Sequence, residues 1–290
     1  MTETVAPPRP RAAMVGTVVR THRLSASMVR VVLGGPGLTG FRPSSCADSY
    51  VKAVFLPGDV APADRPLDRE GRVDLEALRA TLPPDRQPRL RSYTVRSWDA
   101  AARELALDFV VHGDEGLAGP WAAAAAPGDE LLLLGPGGAY SPAPDADWYL
   151  LVGDESALPA VAVTLEHLPA GARAVALVEV EGPADEVPVN AAPGVRLIWV
   201  HRAGRPVGQA LVAAVRALEW LAGTPHAFVH GEAGFVKELR AHLRIERGLP
   251  REHLSISGYW RLGTDDEGWR ARKREWNREI DEREAAAGLV

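Results

Sequence analysis

The hydrophobic period of this chain changes once, and that change limits the folds open to it. Up to Gly138 the apolar runs are short and alternate, at residues 15–20, 28–33, 50–56, 108–112 and 131–134. In the second of these runs Val29, Val31 and Leu33 share one face. Turns such as Gly34-Gly35-Pro36-Gly37 and Gly135-Pro136-Gly137-Gly138 separate the runs, and only one alanine-rich helix, 122–126, intervenes. Short strands without βαβ alternation predict a small antiparallel barrel. After Ser141-Pro142-Ala143-Pro144-Asp145 the pattern differs. Strands at 148–152, 173–180, 195–200 and 226–230 alternate with amphipathic helices at 156–168, 208–221 and 235–247, which predicts a parallel sheet covered on both faces. The expected architecture is therefore two-domain, β followed by α/β. It comprises a disordered start (1–12), an antiparallel barrel (13–140), a linker (141–147), a parallel α/β sheet (148–263) and a C-terminal helix (264–290). Residues 57–88, rich in proline and charge, read as a long surface insertion with one helical candidate at 73–82.

Composition removes several function classes. A chain of 290 residues, 46% hydrophobic and 24% charged, can bury two cores. The net charge of -5 argues against a nucleic-acid binder. No apolar run reaches about 18 residues, and residues 1–11 carry no apolar signal core. The expectation is a cytoplasmic protein without membrane insertion. The single cysteine, Cys46, excludes an intrachain disulfide, a Cys-x-x-Cys pair and a four-cysteine iron–sulfur cluster. Electron chemistry would need a bound organic cofactor. The eight histidines form no His-Glu-x-x-His metal site, and Ser156 lacks a Gly-x-Ser-x-Gly elbow.

Three stretches carry chemistry. Arg91-Ser92-Tyr93-Thr94-Val95-Arg96 reads as a strand offering a guanidinium fork, a hydroxyl and a flat ring, the groups a phosphate-bearing heteroaromatic needs. An amphipathic strand with solvated arginines is the alternative. Asp108-Phe109-Val110-Val111-His112 is a second strand. It leads into Gly116-Leu117-Ala118-Gly119-Pro120-Trp121-Ala122, where glycines let backbone N–H groups approach an anion at a helix mouth. This order resembles the FAD domain of the siderophore-interacting protein family, a branch of the ferredoxin-reductase-like flavoenzymes. The resemblance implies FAD contacts at Arg91, Ser92, Tyr93, Thr94, Asp108, Val110, His112, Gly116, Ala118, Gly119, Trp121 and Ala122. The chain departs at Gly119, where the family usually has serine, and at Leu117 and Pro120.

In the second half, Gly153-Asp154-Glu155-Ser156-Ala157-Leu158-Pro159 follows a strand and opens a helix. An ordinary strand-to-helix turn capped by Asp154 or Ser156 is the plain reading. The stretch resembles the nicotinamide-domain signature of the same family, as His230-Gly231-Glu232 resembles its later strand end, so Gly153 to Pro159, Gly231 and Glu232 are expected at NAD(P)H. Glu179 and Glu181, at a strand end, would accept from a ribose 2′-OH and repel a 2′-phosphate, favouring NADH, with NADPH the alternative through Arg196, Arg202 and Arg205. Ser257-Gly258-Tyr259-Trp260-Arg261-Leu262-Gly263 resembles the family's Tyr-Trp-Arg-x-Gly hallmark. Beyond it Trp269, Lys273, Trp276 and Ile280 fall on one helical face. Lys273 and Lys52 are lysines on otherwise apolar faces. A snorkelling stem and an edge-strand guard are their structural readings. The resemblance implies that Lys52, Arg261 and Lys273 hold an anionic ferric siderophore, reduced by hydride from NAD(P)H through FAD and then by single electrons. No catalytic side chain is singled out. The competing expectations are a ferredoxin-reductase-like enzyme with a protein acceptor and a siderophore-binding module without turnover.

Overall fold

The alternating first half closes on itself. The computed structural model describes residues 12–114 and 116–289; the expected disorder of the first residues lies outside these up to 11, while Ala12 already opens a strand. Six antiparallel strands close in the order β2-β6-β5-β3-β7-β1, with β1 pairing back onto β2. They are β1 (Ala12–Arg23), β2 (Met28–Gly34), β3 (Tyr50–Phe55), β5 (Arg89–Asp99), β6 (Glu104–Val110) and β7 (Glu130–Gly137), and the two-residue β4 (Val73–Asp74) adds to β1. The interior is the face the alternation marks: Val29, Val31 and Leu33 of β2, Val51 and Ala53 of β3, Leu105, Leu107 and Phe109 of β6, and Leu131 and Leu133 of β7. Closure removes sheet edges that would otherwise present unpaired backbone groups.

The insertion is more than surface. Val73 and helix α1 (Leu75–Thr81), capped by Asp74 accepting from Glu76 and Ala77 N–H at 3.0 Å each, cover Ala13, Val54 and Leu132 on the outer barrel face. Helix α2 (Ala118–Ala124) plugs one end with Ala118 and Ala122, buried in the barrel core.

The second half forms a five-stranded, wholly parallel sheet in the order β10-β9-β8-β11-β12. Its strands are β8 (Trp148–Gly153), β9 (Ala174–Val180), β10 (Val195–His201), β11 (Pro225–Glu232) and β12 (Leu254–Trp260). The last of these was not expected from the sequence. Trp148, Leu150 and Val152 of β8 face one core, and Tyr149 and Leu151 face the other, so burial on both sides makes the strand read as a continuous apolar run. Helix α3 (Leu158–Glu166) covers one face, and α4 (Gln209–Arg216) and α5 (Ala233–Ala241) cover the other. The fold is thus the β plus α/β arrangement the periodicities predict.

Helix α6 (Asp266–Ala286) packs Trp269, Trp276 and Ile280 into the core beneath α4 and α5. Burial of each such side chain contributes roughly 1.5–3 kcal/mol. Glu284 continues the stripe and accepts from Arg240 Nε at 2.5 Å, with Asp281 accepting from Arg240 at 2.9 Å. Contacts on the α3 side join the sheets. Arg96 of β5 grips Glu166 through both carboxylate oxygens at 2.8 and 2.6 Å, and Tyr140 packs on Phe228 with ring centroids 4.9 Å apart. Among the described residues no helix is long and apolar enough to cross a membrane.

Candidate functional site

Register decides which groups of β5 act together. Thr94 lies opposite Tyr50 and Ser92 opposite Lys52, whereas Tyr93 lies opposite Val51 and Arg91 opposite Ala53. Since strand side chains alternate, Ser92 and Thr94 share the outer face with Lys52. Arg91 and Tyr93 belong to the other side. The donors of β5 therefore straddle the strand. Tyr93 packs on Phe109 with centroids 4.2 Å apart, and burial pushes its hydroxyl well above the usual tyrosine range.

The residues after β6 divide as well. Asp108 does not present a free carboxylate. It lies opposite Arg30 across β2 and β6 and accepts from it at 2.6 and 2.8 Å. Val110 ends β6 opposite Met28, and His112 and Gly116 are exposed in the following loop. Trp121 meets Phe55 and Phe109 in the barrel, so like Ala118 and Ala122 its side chain serves packing. At Gly119 a Cβ would stand 3.3 Å from the Val110 carbonyl. A side chain there would require the neighbouring backbone to give by a few tenths of an ångström. Gly116, at φ 86°, has open space where a side chain would be.

The α/β half concentrates its polar groups at the carboxyl ends of β8, β11 and β12, where the order of an open parallel sheet leaves a ligand crevice. Asp154 is fully buried there. Its Oδ1 accepts from Ser156 N at 3.0 Å and Ser156 Oγ at 2.5 Å; its Oδ2 accepts from Glu232 N and Trp260 Nε1, each at 2.8 Å. Burial pushes this carboxyl up against the pull of the four donors. The ends of three strands are stapled through one side chain. The close packing excludes side chains nearby. A Cβ on Gly153 would fall 2.5 Å from that of Ala157, and one on Gly231 would fall 2.7 Å from Asp154 Cγ. Ala157, Leu158 and Pro159 start α3 and are buried, so a ligand here would meet backbone rather than their side chains.

Glu179 departs from its expected role. It is fully buried at the end of β9 and accepts from Gly208 N at 2.8 Å, Leu211 N at 3.2 Å and Arg202 Nε at 3.1 Å. It holds the start of α4, which leaves nothing to offer a ribose. Glu181, half exposed, is the strand-end carboxylate facing solvent. Arg202 also donates to both oxygens of Glu155 at 2.9 Å and to Glu181 at 3.3 Å. Three carboxylates thus share one guanidinium. Burial and the neighbouring Asp154 push the Glu155 carboxyl up to about 7 despite that arginine.

Glu232 caps α5 by accepting from Gly234 N at 2.5 Å and takes Arg261 at 3.2 Å. His230 stacks on Phe228 with centroids 3.9 Å apart. Its Nε2 meets Ser255 Oγ at 3.0 Å, and its buried Nδ1 has no protein partner. Burial, helped by the charge of Lys273, lowers its pKa to about 3, so the ring is neutral. The Lys273 ammonium donates to Ser257 Oγ at 2.9 Å and Gly258 O at 2.8 Å, and burial lowers its pKa.

Helix α6 connects the two halves. Its first turn sits on the start of β5, where Glu267 accepts from Arg91 at 2.7 and 3.1 Å and Asp266 does so at 3.3 Å. Lys273 lies seven residues on from Asp266, about 10 Å along a helix. Lys52, half-buried, is one strand and one residue away from Arg91. These carboxylates were not foreseen, because acidic residues in a first helical turn read as ordinary capping.

The groups of β5, divided between its two faces, and the open glycine loop after β6 are of the kinds a phosphate-bearing heteroaromatic needs: a fork, hydroxyls, an aromatic ring and unblocked backbone. The orphan Nδ1 of His230 fits a ligand group at the crevice. Comparison with known proteins matches each half to a separate family model. Residues 17–140 match the siderophore-interacting FAD-binding domain and residues 146–263 the siderophore-interacting protein domain. The ferric vibriobactin reductase ViuB of Vibrio cholerae is 33% identical over 253 residues, covering 87% of this chain and 90% of that one. An NADPH-dependent ferric-chelate reductase of Escherichia coli is 32% identical over 247 residues, covering 84% and 91%. The solved structure of a siderophore utilization protein from T. fusca superposes with a TM-score of 0.75 at 37% identity, covering 89% and 95%. The chain belongs to the siderophore-interacting protein family.

Proposed function

We propose that this protein is an FAD-dependent ferric-siderophore reductase that draws on NADH. Bound FAD supplies the conversion of a hydride from the nicotinamide into single electrons for chelated Fe(III). Siderophore oxygens are hard anionic ligands that hold Fe(III) far better than Fe(II), so reduction loosens the iron. The carrying observation is the adjacency made by α6, whose first turn touches Arg91 of the barrel while Lys273, two turns on, is held at the end of β12.

The residues divide the work. Arg91 meets phosphate, Ser92 and Thr94 offer hydroxyls, Tyr93 offers its ring, and the loop through His112 and Gly116 offers backbone N–H groups. In the crevice Gly153 to Pro159 present backbone to the dinucleotide, and the neutral His230 with Gly231 and Glu232 borders the nicotinamide. Asp154 fixes this geometry rather than touching the ligand. Lys52, Lys273 and Arg261 draw in the anionic chelate by focusing positive potential in a chain of net charge -5. The choice of NADH rests on Arg202. Surrounded by Glu155, Glu179 and Glu181, its charge is more than compensated, and a 2′-phosphate would meet repulsion.

An absorbance spectrum tests the reading. The purified protein is expected to show flavin bands that bleach with anaerobic NADH and return on adding a ferric siderophore, with Fe(II) captured by a chromogenic chelator. A colourless protein, or flavin bands that NADH leaves unchanged, would defeat the assignment.

A further inference from the structure

Arg91 is needed for a phosphate in the reading above, and yet its guanidinium already has partners. It donates to Glu267 Oε1 at 2.7 Å, Glu267 Oε2 at 3.1 Å, Asp266 Oδ2 at 3.3 Å and the Leu90 carbonyl at 2.9 Å. The Arg91 side chain is only 18% exposed. Around it Arg89 reaches Glu267 at 3.4 Å, and Arg270 links Asp266 at 2.7 Å to the Leu90 carbonyl at 2.8 Å. The first turn of α6 is thereby docked on the start of β5 by charge.

This docking is not what holds the helix. Trp269, Trp276 and Ile280 bury its body, and Arg240 pins Glu284 near its far end. The Asp266 and Glu267 side chains can therefore let go of Arg91 while Trp269, Trp276 and Ile280 keep the helix in place. Asp265 caps the first turn from within by accepting from Gly268 N at 2.8 Å, so the turn keeps its own cap when they do. A phosphate approaching Arg91 would enter beside two carboxylates, and like charges this close in a partly desolvated site repel strongly. The fork cannot serve both at full strength.

We propose that Asp266 and Glu267 act as a displaceable counter-ion for Arg91, competing with a phosphate of the flavin dinucleotide and so setting how tightly the cofactor is held. The inference rests on Arg91 being a phosphate ligand. By linkage, loading the cofactor loosens the turn and a fixed turn weakens the cofactor.

The experiment follows FAD release from the full-length, FAD-loaded protein by recovery of flavin fluorescence on dilution, alongside hydrogen exchange at residues 264–270. Removing the competing charge in Glu267→Gln, and further in Asp266→Asn with Glu267→Gln, is expected to slow release about tenfold, the scale of one charge-assisted contact. Arg91→Ala is expected to speed release and to erase the effect of the carboxamide changes. Exchange at 264–270 should be faster with FAD than after its removal. If Arg91→Ala speeds release while the carboxamide variants release FAD as fast as wild type or faster, the carboxylates hold Arg91 in place and the competition is overturned with the flavin site intact. If Arg91→Ala releases FAD at the wild-type rate, the phosphate assignment falls and the competition with it.

Discussion

Replacing Glu155 by glutamine isolates one consequence of the crowded crevice. The carboxyl moves from the ordinary glutamate value of 4.5 to about 7, chiefly because it is buried and next because Asp154 lies beside it; the attraction of Arg202 is already included in that balance. A pKa higher in the folded than in the unfolded state means that the folded protein resists ionising the group. The associated stability is fully present below pH 4.5 and is lost as pH rises through about 7. At 1.36 kcal/mol per unit, wild type forgoes about 3 kcal/mol between those limits. Glutamine keeps the shape and one oxygen for Arg202 and does not titrate. The difference between variant and wild type is therefore expected to be small at pH 4.5 and to grow to about 2–3 kcal/mol in favour of the variant at pH 8. Urea unfolding across this range measures it. Asp266 also has a raised value, but both proteins share it, so the subtraction removes its contribution, whereas the repulsion between Asp154 and Glu155 is relieved in the variant and belongs to the difference measured. A difference that stays flat with pH, or a variant less stable at pH 8, would show that the Arg202 pair outweighs burial.

Three other outcomes are expected. Asp154→Ala strips the acceptor from Ser156 N, Glu232 N and Trp260 Nε1 together, a loss of about 3–5 kcal/mol in denaturant unfolding; a cost below about 1 kcal/mol would mean that the strand ends are not stapled there. Glu181→Arg should move the ratio of kcat/KM for NADH and NADPH toward NADPH by at least about tenfold, the worth of one charge-assisted contact, and an unmoved ratio would place the ribose elsewhere. Alanine at both Lys52 and Lys273 should raise KM for an anionic ferric chelate while kcat/KM for NADH reduction of the flavin is kept. Added salt should mimic part of that defect, and a double variant with wild-type KM at every ionic strength would leave both lysines with structural roles alone.

Much of the architecture was legible because burial imposes periods that a sequence must carry. Val29, Val31 and Leu33 had to alternate to fill a barrel, and Trp269, Trp276 and Ile280 had to repeat at three and four to pack one helix face. Strand β12 escaped because its Leu254–Trp260 run is only half-buried at the edge of its sheet and lacks the solid apolar signal of β8. The insertion at 57–88 looked like surface because the apolar residues it buries fully, Val73, Leu75 and Leu78, are sparse in sequence and meet Val54 and Leu132 only in space. The chemistry-bearing stretches could be picked out by residue type and by resemblance, since a fork, a ring and a glycine loop are local properties. Their partners could not. Glu179 has the strand-end position of a ribose ligand, but the packing of α4 onto β9 brings Gly208 and Leu211 amides to it across 29 and 32 residues. Alternation in β5 separates Arg91 from Thr94 in any register, but only the pairing with β3 fixed which side faces the barrel. Arg91 meets Glu267 across 176 residues. A side chain's type sets what it can bind; which groups reach it first is decided by chain segments far away in sequence, and no local pattern records that competition.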